Sequence, residues 1–498
     1  MATLRHFQTT GYSSNRIDMV FMGDGYRASE IGTNYTSQIH GFLGYMFNGS
    51  LLSEPFGRYR NFFNIHSIDV VSNESGADDL ANGISRHTVL NASYSGRALN
   101  VSLSKADEIE QAVLPNGITS EMRFILVNSA AYGGAGYDSG IYSAGNSQAY
   151  EIALHEIGHA FADLGDEYDY GVSGSYTGSD PAYVNVTTDP YGAKWSRWLG
   201  YDQPGIGIIG AYEGAYYHAE GVYRPSFNSK MKSLEQPFDA IAREQLIRKF
   251  YEFVDPLDGY TDPWISHHNV TDFYVDTVDP AVIKVDWTLD GRTFVNSGET
   301  FKLNQDNYGF GTHTLSARAY DPTDWVRGDR SALEQTVTWT VTNDVLLTGD
   351  SGGNSLRGNS NANDIQGRGG NDKLWGGAGN DMLTGGTGRD SFAFGTKPNR
   401  SSNKDRIADF EVKDDAIWLD NKVFTKVGKA GSEKKPAQLK KDYFTVSSKA
   451  KDKNDYIIYD KAKGVLYYDA DGSGRGKVVE VATLSKKLAM THKDFFVI

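Results

Sequence analysis

Two histidines four residues apart, with a glutamate beside the first, stand at His155-Glu156-Ile157-Gly158-His159. On a helix, residues four apart share a face, so both imidazoles can ligate one metal ion. Glu156 then stands where a carboxylate can take a proton from metal-bound water, the arrangement of zinc-dependent peptide hydrolysis. The bare HExxH pattern arises by chance in many proteins, so its surroundings must decide. From Tyr150 to Leu164 the apolar residues Tyr150, Ala153, Leu154, Ile157, Ala160, Phe161 and Leu164 recur at steps of three and four. That is the stripe of an amphipathic helix. At about 100° per residue, His155 and His159 project almost opposite the stripe, flanked by Glu156 and Asp163. Histidines that merely filled a core would fall on it.

A zinc site open to substrate needs a third protein ligand and a free fourth position. Gly165 is expected to end the helix in the left-handed conformation. Asp163 continues the helix and lies too far along its axis to share a metal with His155. A chain turning at Gly165 can aim Asp166 back at the two imidazoles; Glu167 is its rival, and the distant Glu244 a third option. The expected set is therefore Glu156 as general base on zinc-bound water, with His155, His159 and Asp166 on the metal.

A second constellation repeats with period nine. Blocks begin at Gly349, Gly358, Gly367, Gly376 and Gly385. Their sixth positions are Asn354, Asn363, Asp372, Asp381 and Asp390, and their eighth Leu356, Ile365, Leu374, Leu383 and Phe392. Glycines allow tight turns with inward carbonyls, the aspartates add charged oxygens, and the apolar eighth residue stacks into a thin core. Hard oxygen ligands of this kind suit Ca²⁺. The turn positions taken as calcium-binding are Gly367, Gly369, Asp372, Gly376 and position 378, which carries Ala378. The first two blocks are degenerate, so two or three sites are expected to be strong.

The elements that must position these groups divide the chain into four expected domains: 1–255, 260–345, 347–395 and 396–498. The first reads as α/β. Ile17–Phe21, Phe62–Val71 and Met122–Val127 are buried-strand runs, and Ala28–Phe47 is helical. A strand just before the metal helix could take up an extended peptide by main-chain bonds. The second carries alternating strands at Ile283–Trp287, Thr314–Tyr320 and Thr336–Val341, separated by turns such as Asp290-Gly291, and suggests a small Ig-like β-sandwich. The third is a parallel β-roll. The last reads as β-rich: Asp469–Gly474 superficially matches an EF-hand loop, but its strand-like flanks favour a hairpin turn. The sequence reaches Ile498 as an acid followed by four apolar residues, Asp494–Ile498.

With 498 residues, the chain has room for three or more domains. It has no cysteine, so neither a disulfide framework nor a Cys-ligated zinc is possible. A net charge of -14 argues against a nucleic-acid partner. No run of 18 apolar residues exists, so no transmembrane helix is expected. The start, Met1 to His6, lacks the apolar region of a Sec-type signal peptide.

The first half resembles the immunoglobulin-A-peptidase-like family of metallopeptidases. The resemblance is carried by Ile17–Tyr26, Glu54-Pro55-Phe56, Phe63–His66 with Ser72–Asp78, His155–Tyr168, Gly221–Pro225 and Lys230-Met231. It implies a secreted zinc endopeptidase related to metzincins, with Met231 as a candidate Met-turn or else ordinary core packing, and Tyr223 as a candidate for steadying the oxyanion. Family cysteines near 228–231 and 238–244 are replaced here by serine, aspartate and alanine. The later region resembles the RTX repeats and terminal part of serralysin-type, type I-secreted proteins. That implies an extracellular protein recognised by a type I exporter through a C-terminal signal, its repeats folding on calcium outside the cell. The expected function is a secreted zinc metalloendopeptidase acting on extracellular proteins or peptides, without membrane insertion. The alternative is a calcium-dependent adhesin whose HExxH helix is inert.

Overall fold

The apolar run from Ile17 forms the middle of an eight-stranded mixed sheet in the computed structural model, which describes residues 2–170, 174–265, 267–268, 270–303, 311–343 and 346–498. Its strands are β1 (Thr3–Gln8), β2 (Ile17–Asp24), β3 (Phe63–Asp69), β4 (Ser93–Ser95), β5 (Ala98–Asn100), β6 (Met122–Val127), β7 (Gly134–Gly136) and β8 (Gly140–Ser143). The order is β1-β3-β2-β6-β8-β7-β5-β4. β3, β2, β6 and β8 run parallel. Every residue of β2 and β6 is buried, as expected of parallel strands covered on both faces.

Successive side chains of β2 serve different layers. Val20 and Met22 join Ile125, Val127 and Ala106 in a core that includes helix α3. Phe21 faces the other way, stacked on Phe124 at 5.1 Å, and both reach Phe42. The helices are α1 (Ala28–Glu30), which passes through a π-helical stretch into α2 (Thr36–Met46), then α3 (Leu103–Val113), α4 (Ala149–Ala162) and α5 (Ala240–Phe250). α4 lies against β7 and β8, and Phe161 meets Phe250 of α5 at 5.9 Å. Four further strands follow α4: β9 (Asp202–Gln203), β10 (Gly207–Ile208), β11 (Tyr212–Ala215) and β12 (His218–Arg224), paired as two hairpins.

The strands before helix α4, β6 and β8, both lie inside the sheet with a neighbour on each side. Neither offers the open edge expected for peptide addition. Parallel crossovers place them centrally, which their order in sequence could not show.

The chain forms two units, one of Met1–Gly259 with Val275–Val285 and Arg318–Thr336, the other of Tyr260–Tyr274, Asp286–Ala317 and Val337–Ile498. In the second, Trp287 stacks on Trp339 at 5.5 Å and on Phe301 at 5.3 Å, and Phe273 meets Trp339. Strand Glu334–Asn343 alternates buried and exposed residues along its length.

Beyond residue 345 the strands coil between two sheets. Leu346–Thr348, Asp364–Gln366, Met382–Thr384 and Asp405–Ile407 stack in parallel in one sheet. Ser355–Arg357, Lys373–Trp375, Ser391–Phe394 and Ala416–Leu419 stack in the other. Four of the five eighth positions, Ile365, Leu374, Leu383 and Phe392, are fully buried between the sheets, and Leu356 is partly buried against them. The coil does not stop at residue 395. Val479–Thr483 extends the first sheet and Phe495–Val497 the second. Asp469–Ser473 lies in the connection between two antiparallel strands, Val465–Tyr468 and Val479–Thr483. Among the described residues no helix is long and apolar enough to cross a membrane.

Candidate active site

α4 is covered on more sides than its apolar stripe required. Ile152, Ala153, Leu154, Ile157, Gly158 and Phe161 are buried, and so is Glu151. Tyr150 and Ala160, expected on the buried stripe, are only half-buried. His155, Glu156 and His159 are half-buried where the helix faces a cleft of about 620 Å³. The helix ends at Ala162, and the left-handed residue is Asp163 (φ 50°, ψ 43°), not Gly165. Aspartate tolerates this conformation better than most non-glycine residues. The reversal lets Leu164 N–H reach the Gly158 carbonyl at 3.1 Å and swings Asp166 back over the helix. Asp163 itself turns to Lys249, 3.1 Å away.

Three donor atoms converge there. Asp166 Oδ1 lies 3.3 Å from His155 Nε2 and 3.1 Å from His159 Nε2, and the two Nε2 atoms are 3.1 Å apart. Each Nδ1 faces a backbone carbonyl, Lys230 O at 2.9 Å for His155 and Leu164 O at 2.6 Å for His159. A carbonyl can only accept, so each Nδ1 carries the hydrogen and each Nε2 presents a bare lone pair. Asp166 Oδ1 is buried and has no hydrogen-bond partner. Three lone pairs pointed at one spot repel unless a cation sits among them, and two imidazoles with one carboxylate suit zinc. The residues fit the metal.

Burial pushes the Glu156 carboxyl above its ordinary range, with the two imidazoles working against the shift. Burial alone would raise the Asp166 carboxyl too; when the facing imidazoles are protonated, their hydrogen bonds and charge hold it well below the usual value. The Glu156 carboxylate lies within 4.8 Å of both imidazole donors. Gly134 and Gly136 allow β7 to pass close beside it: a Cβ at Gly134 would stand 2.5 Å from Glu156 Oε1, and one at Gly136 would stand 2.7 Å from His159 Cβ.

The rivals for the third ligand position are engaged elsewhere. Glu167 is fully buried, accepting from Ser229 Oγ at 2.6 Å and Asn185 Nδ2 at 2.9 Å. Glu244 pairs with Arg197 and accepts from the Trp198 indole. Met231 is buried directly beneath the helix, its Sδ 2.9 Å from where a Cβ on Gly158 would stand. Its carbonyl accepts the Glu167 N–H. Tyr223 does not line the cleft; its hydroxyl lies 3.4 Å from Glu213. Tyrosines to which the sequence assigns no role do line it, among them Tyr132, Tyr168, Tyr170, Tyr216 and Tyr217, together with Arg97. Tyr217 donates to Asp166 Oδ2.

The expected calcium positions fall on two edges of the coil. Gly367, Gly369 and Asp372 belong to one column of turns; Gly376 and Ala378 belong to the other, where Ala378 N–H bonds the Asn359 carbonyl at 3.0 Å. In each column a carboxylate accepts from the backbone N–H one coil earlier: Asn354 N to Asp372, Asp372 N to Asp390, and Asn363 N to Asp381, at 2.7–2.8 Å. Each uses Oδ1. The Oδ2 atoms of Asp372, Asp381 and Asp390 are buried without a partner. A Cβ at Gly367 would stand 2.4 Å from Asp372 Oδ2 and 2.5 Å from the Gly385 carbonyl, so glycine keeps an oxygen-lined space open. These hard donors fit calcium.

The columns continue where the nonapeptide spacing breaks. Asp381 N–H bonds Asp405 and Asp390 N–H bonds Asp415, at 3.2 and 3.0 Å. Sequence spacing hid both, because steps of 24 and 25 residues replace 18. Burial, with the Asp381 charge, pushes the Asp405 carboxyl up to about 8.

A mixed α/β sheet backing an HExxH helix, with a carboxylate returned to its histidines, defines a candidate metal-dependent hydrolase in the first unit. Residues 6–205 and 202–250 match the family model of IgA Peptidase M64, and this region of the chain belongs to that peptidase family. Residues 357–392 match the RTX calcium-binding nonapeptide repeat (4 copies). No curated protein matches the chain. Among solved structures, the AlgE6R3 subunit of the Azotobacter vinelandii mannuronan C5-epimerase is 23% identical over 30% of this chain and 79% of its own. Its TM-score of 0.17 is too low to carry an argument.

Proposed function

We propose that the protein is a secreted, zinc-dependent endopeptidase that hydrolyses peptide bonds in extracellular proteins. The observation that carries this reading is the convergence of His155 Nε2, His159 Nε2 and Asp166 Oδ1 within 3.3 Å, the last buried and unpartnered. His155, His159 and Asp166 would hold the ion, which when bound supplies a Lewis acid for the scissile carbonyl and lowers the pKa of water. Glu156 orients the attacking water and accepts its proton at a carboxylate oxygen. The raised affinity of that carboxyl for a proton suits a group that must then pass it to the departing amine nitrogen. The cleft, about 620 Å³, leaves room for an extended peptide.

The architecture is read as metzincin-like, with Met231 as the methionine under the metal; its burial against Gly158 supports this. Residues 260–345 are read as an Ig-like sandwich, supported by the strand alternation and the paired tryptophans. The RTX match supports calcium-dependent folding and export by a type I system. The proposed divisions are 1–255, 260–345 and 347–498, the coil of 347–395 continuing into 396–498.

The test is metal analysis alongside cleavage of unfolded casein by the calcium-loaded protein. Zinc bound in stoichiometric amount is expected, with cleavage lost on treatment with a zinc chelator and restored by zinc. Full activity in zinc-free protein, or zinc-loaded protein without any cleavage, would reject the proposal.

A further inference from the structure

The β11–β12 hairpin carries an unusual turn. Ala215 pairs with His218, so Tyr216 and Tyr217 are its two turn residues. Both are left-handed, with φ of 47° and 67°. Two-residue turns with positive φ at both positions favour asparagine and glycine, and bulky side chains there are strained. Such strain persists only where the surroundings hold it. Here the turn is pinned to the segment that follows α4: Tyr216 N–H bonds the Asp166 carbonyl and Tyr217 N–H the Tyr168 carbonyl, each at 3.0 Å. The Tyr217 ring stacks on Tyr170 at 5.8 Å and meets Tyr168 edge-on at 5.4 Å. Its hydroxyl donates to Asp166 Oδ2. An asparagine or glycine would relieve the backbone but could not deliver a hydroxyl to that atom.

We propose that Tyr217 is a positioning residue for the metal ligand Asp166, its hydroxyl occupying Oδ2 so that Oδ1 alone is presented to the ion. The inference rests on the zinc reading above. A carboxylate free at both oxygens can rotate or bind through both; capping one fixes its plane and its denticity. Partners of metal ligands commonly change affinity by about 10–100-fold when removed.

The experiment is zinc affinity by chelator competition for the full chain, compared with Tyr217→Phe, which keeps the ring and removes the hydroxyl. Tyr223→Phe, on the same hairpin but outside the cleft, is the control. Zinc is expected to bind about 10-fold or more weakly to Tyr217→Phe and normally to Tyr223→Phe. The cobalt-loaded Tyr217→Phe should also show a changed visible spectrum. In an Asp166→Ala background the Tyr217→Phe factor should vanish, because the hydroxyl acts only through that carboxylate. Unchanged zinc affinity and cobalt spectrum, or a loss that persists undiminished without Asp166, would overturn the assignment. Failure of the wild-type chain to bind zinc would instead strike the parent reading.

Discussion

Lys230 supports His155 from two directions: its backbone carbonyl lies 2.9 Å from His155 Nδ1, and its ammonium lies 2.6 Å from Glu151, one helical turn before that histidine. The ion pair is buried, with side-chain exposures of 0% and 8%. Glu151 also accepts from Tyr45 and from the Glu235 N–H. Breaking such a pair leaves one buried charge uncompensated. Lys230→Met should therefore destabilise the protein by about 3–5 kcal/mol, measured by urea unfolding, and weaken zinc binding as well. Adding Glu151→Gln should recover part of the stability. A Lys230→Met variant as stable as wild type would show that the pair is not buried as described.

Glu156 tests the chemistry apart from the metal. Glu156→Gln keeps the size and leaves His155, His159 and Asp166 in place. The variant should retain zinc and its unfolding midpoint while kcat falls by about 10²–10⁴-fold, the usual contribution of a positioned acid–base group. Retained kcat would remove Glu156 from the mechanism.

The carboxylate columns predict an inverted pH response in calcium-free protein. Burial raises Asp381 to about 6; burial and the Asp381 charge raise Asp405 to about 8. Unfolded aspartate titrates near about 4. A carboxyl raised on folding stabilises while protonated, so its contribution is complete below about pH 4 and disappears as pH climbs through 6 to 8. Calcium-free protein should unfold at lower denaturant at pH 8 than at pH 5, as followed by circular dichroism. Calcium should reverse that order, because protons must leave before the cation binds. A calcium-free protein more stable at pH 8 would contradict the burial of this pair.

Residues 494–498 serve two tests at once. Phe495–Val497 is a paired strand whose Phe495 and Val497 are buried. Deleting 494–498 should lower the unfolding midpoint of the calcium-loaded protein and hold the chain inside a host with a type I exporter. Normal export with lowered stability would separate folding from recognition and reject the signal.

Much of the candidate site's geometry is legible in the sequence because its residues are local. His155, Glu156 and His159 declare themselves by spacing, and Asp166 by following a helix end closely enough to turn back. The helix end departs from expectation: Gly165 has the stronger intrinsic preference for a left-handed backbone, while the structure places that conformation at Asp163. Glu167 is as acidic as Asp166 and one residue away, yet points into Ser229 and Asn185. The sequence favours Asp166 only through a turn at Gly165, and the reversal that separates the two acids starts at Asp163 instead. Tyr217 was invisible for a different reason: a Tyr-Tyr pair gives no turn signal, and it reaches Asp166 across 51 residues. The coil was plain from its period until residues 395–404 broke the phase, and so Asp405 and Asp415 went unnoticed.

β7 contributes no side chain to the chemistry, yet Gly134 and Gly136 leave no room beside Glu156 and His159 for even a methyl group. Random mutagenesis scored on substrate turnover should therefore recover dead enzymes from a stretch that holds no acid, base or ligand. Their defect would be crowding of the machinery by its own wall.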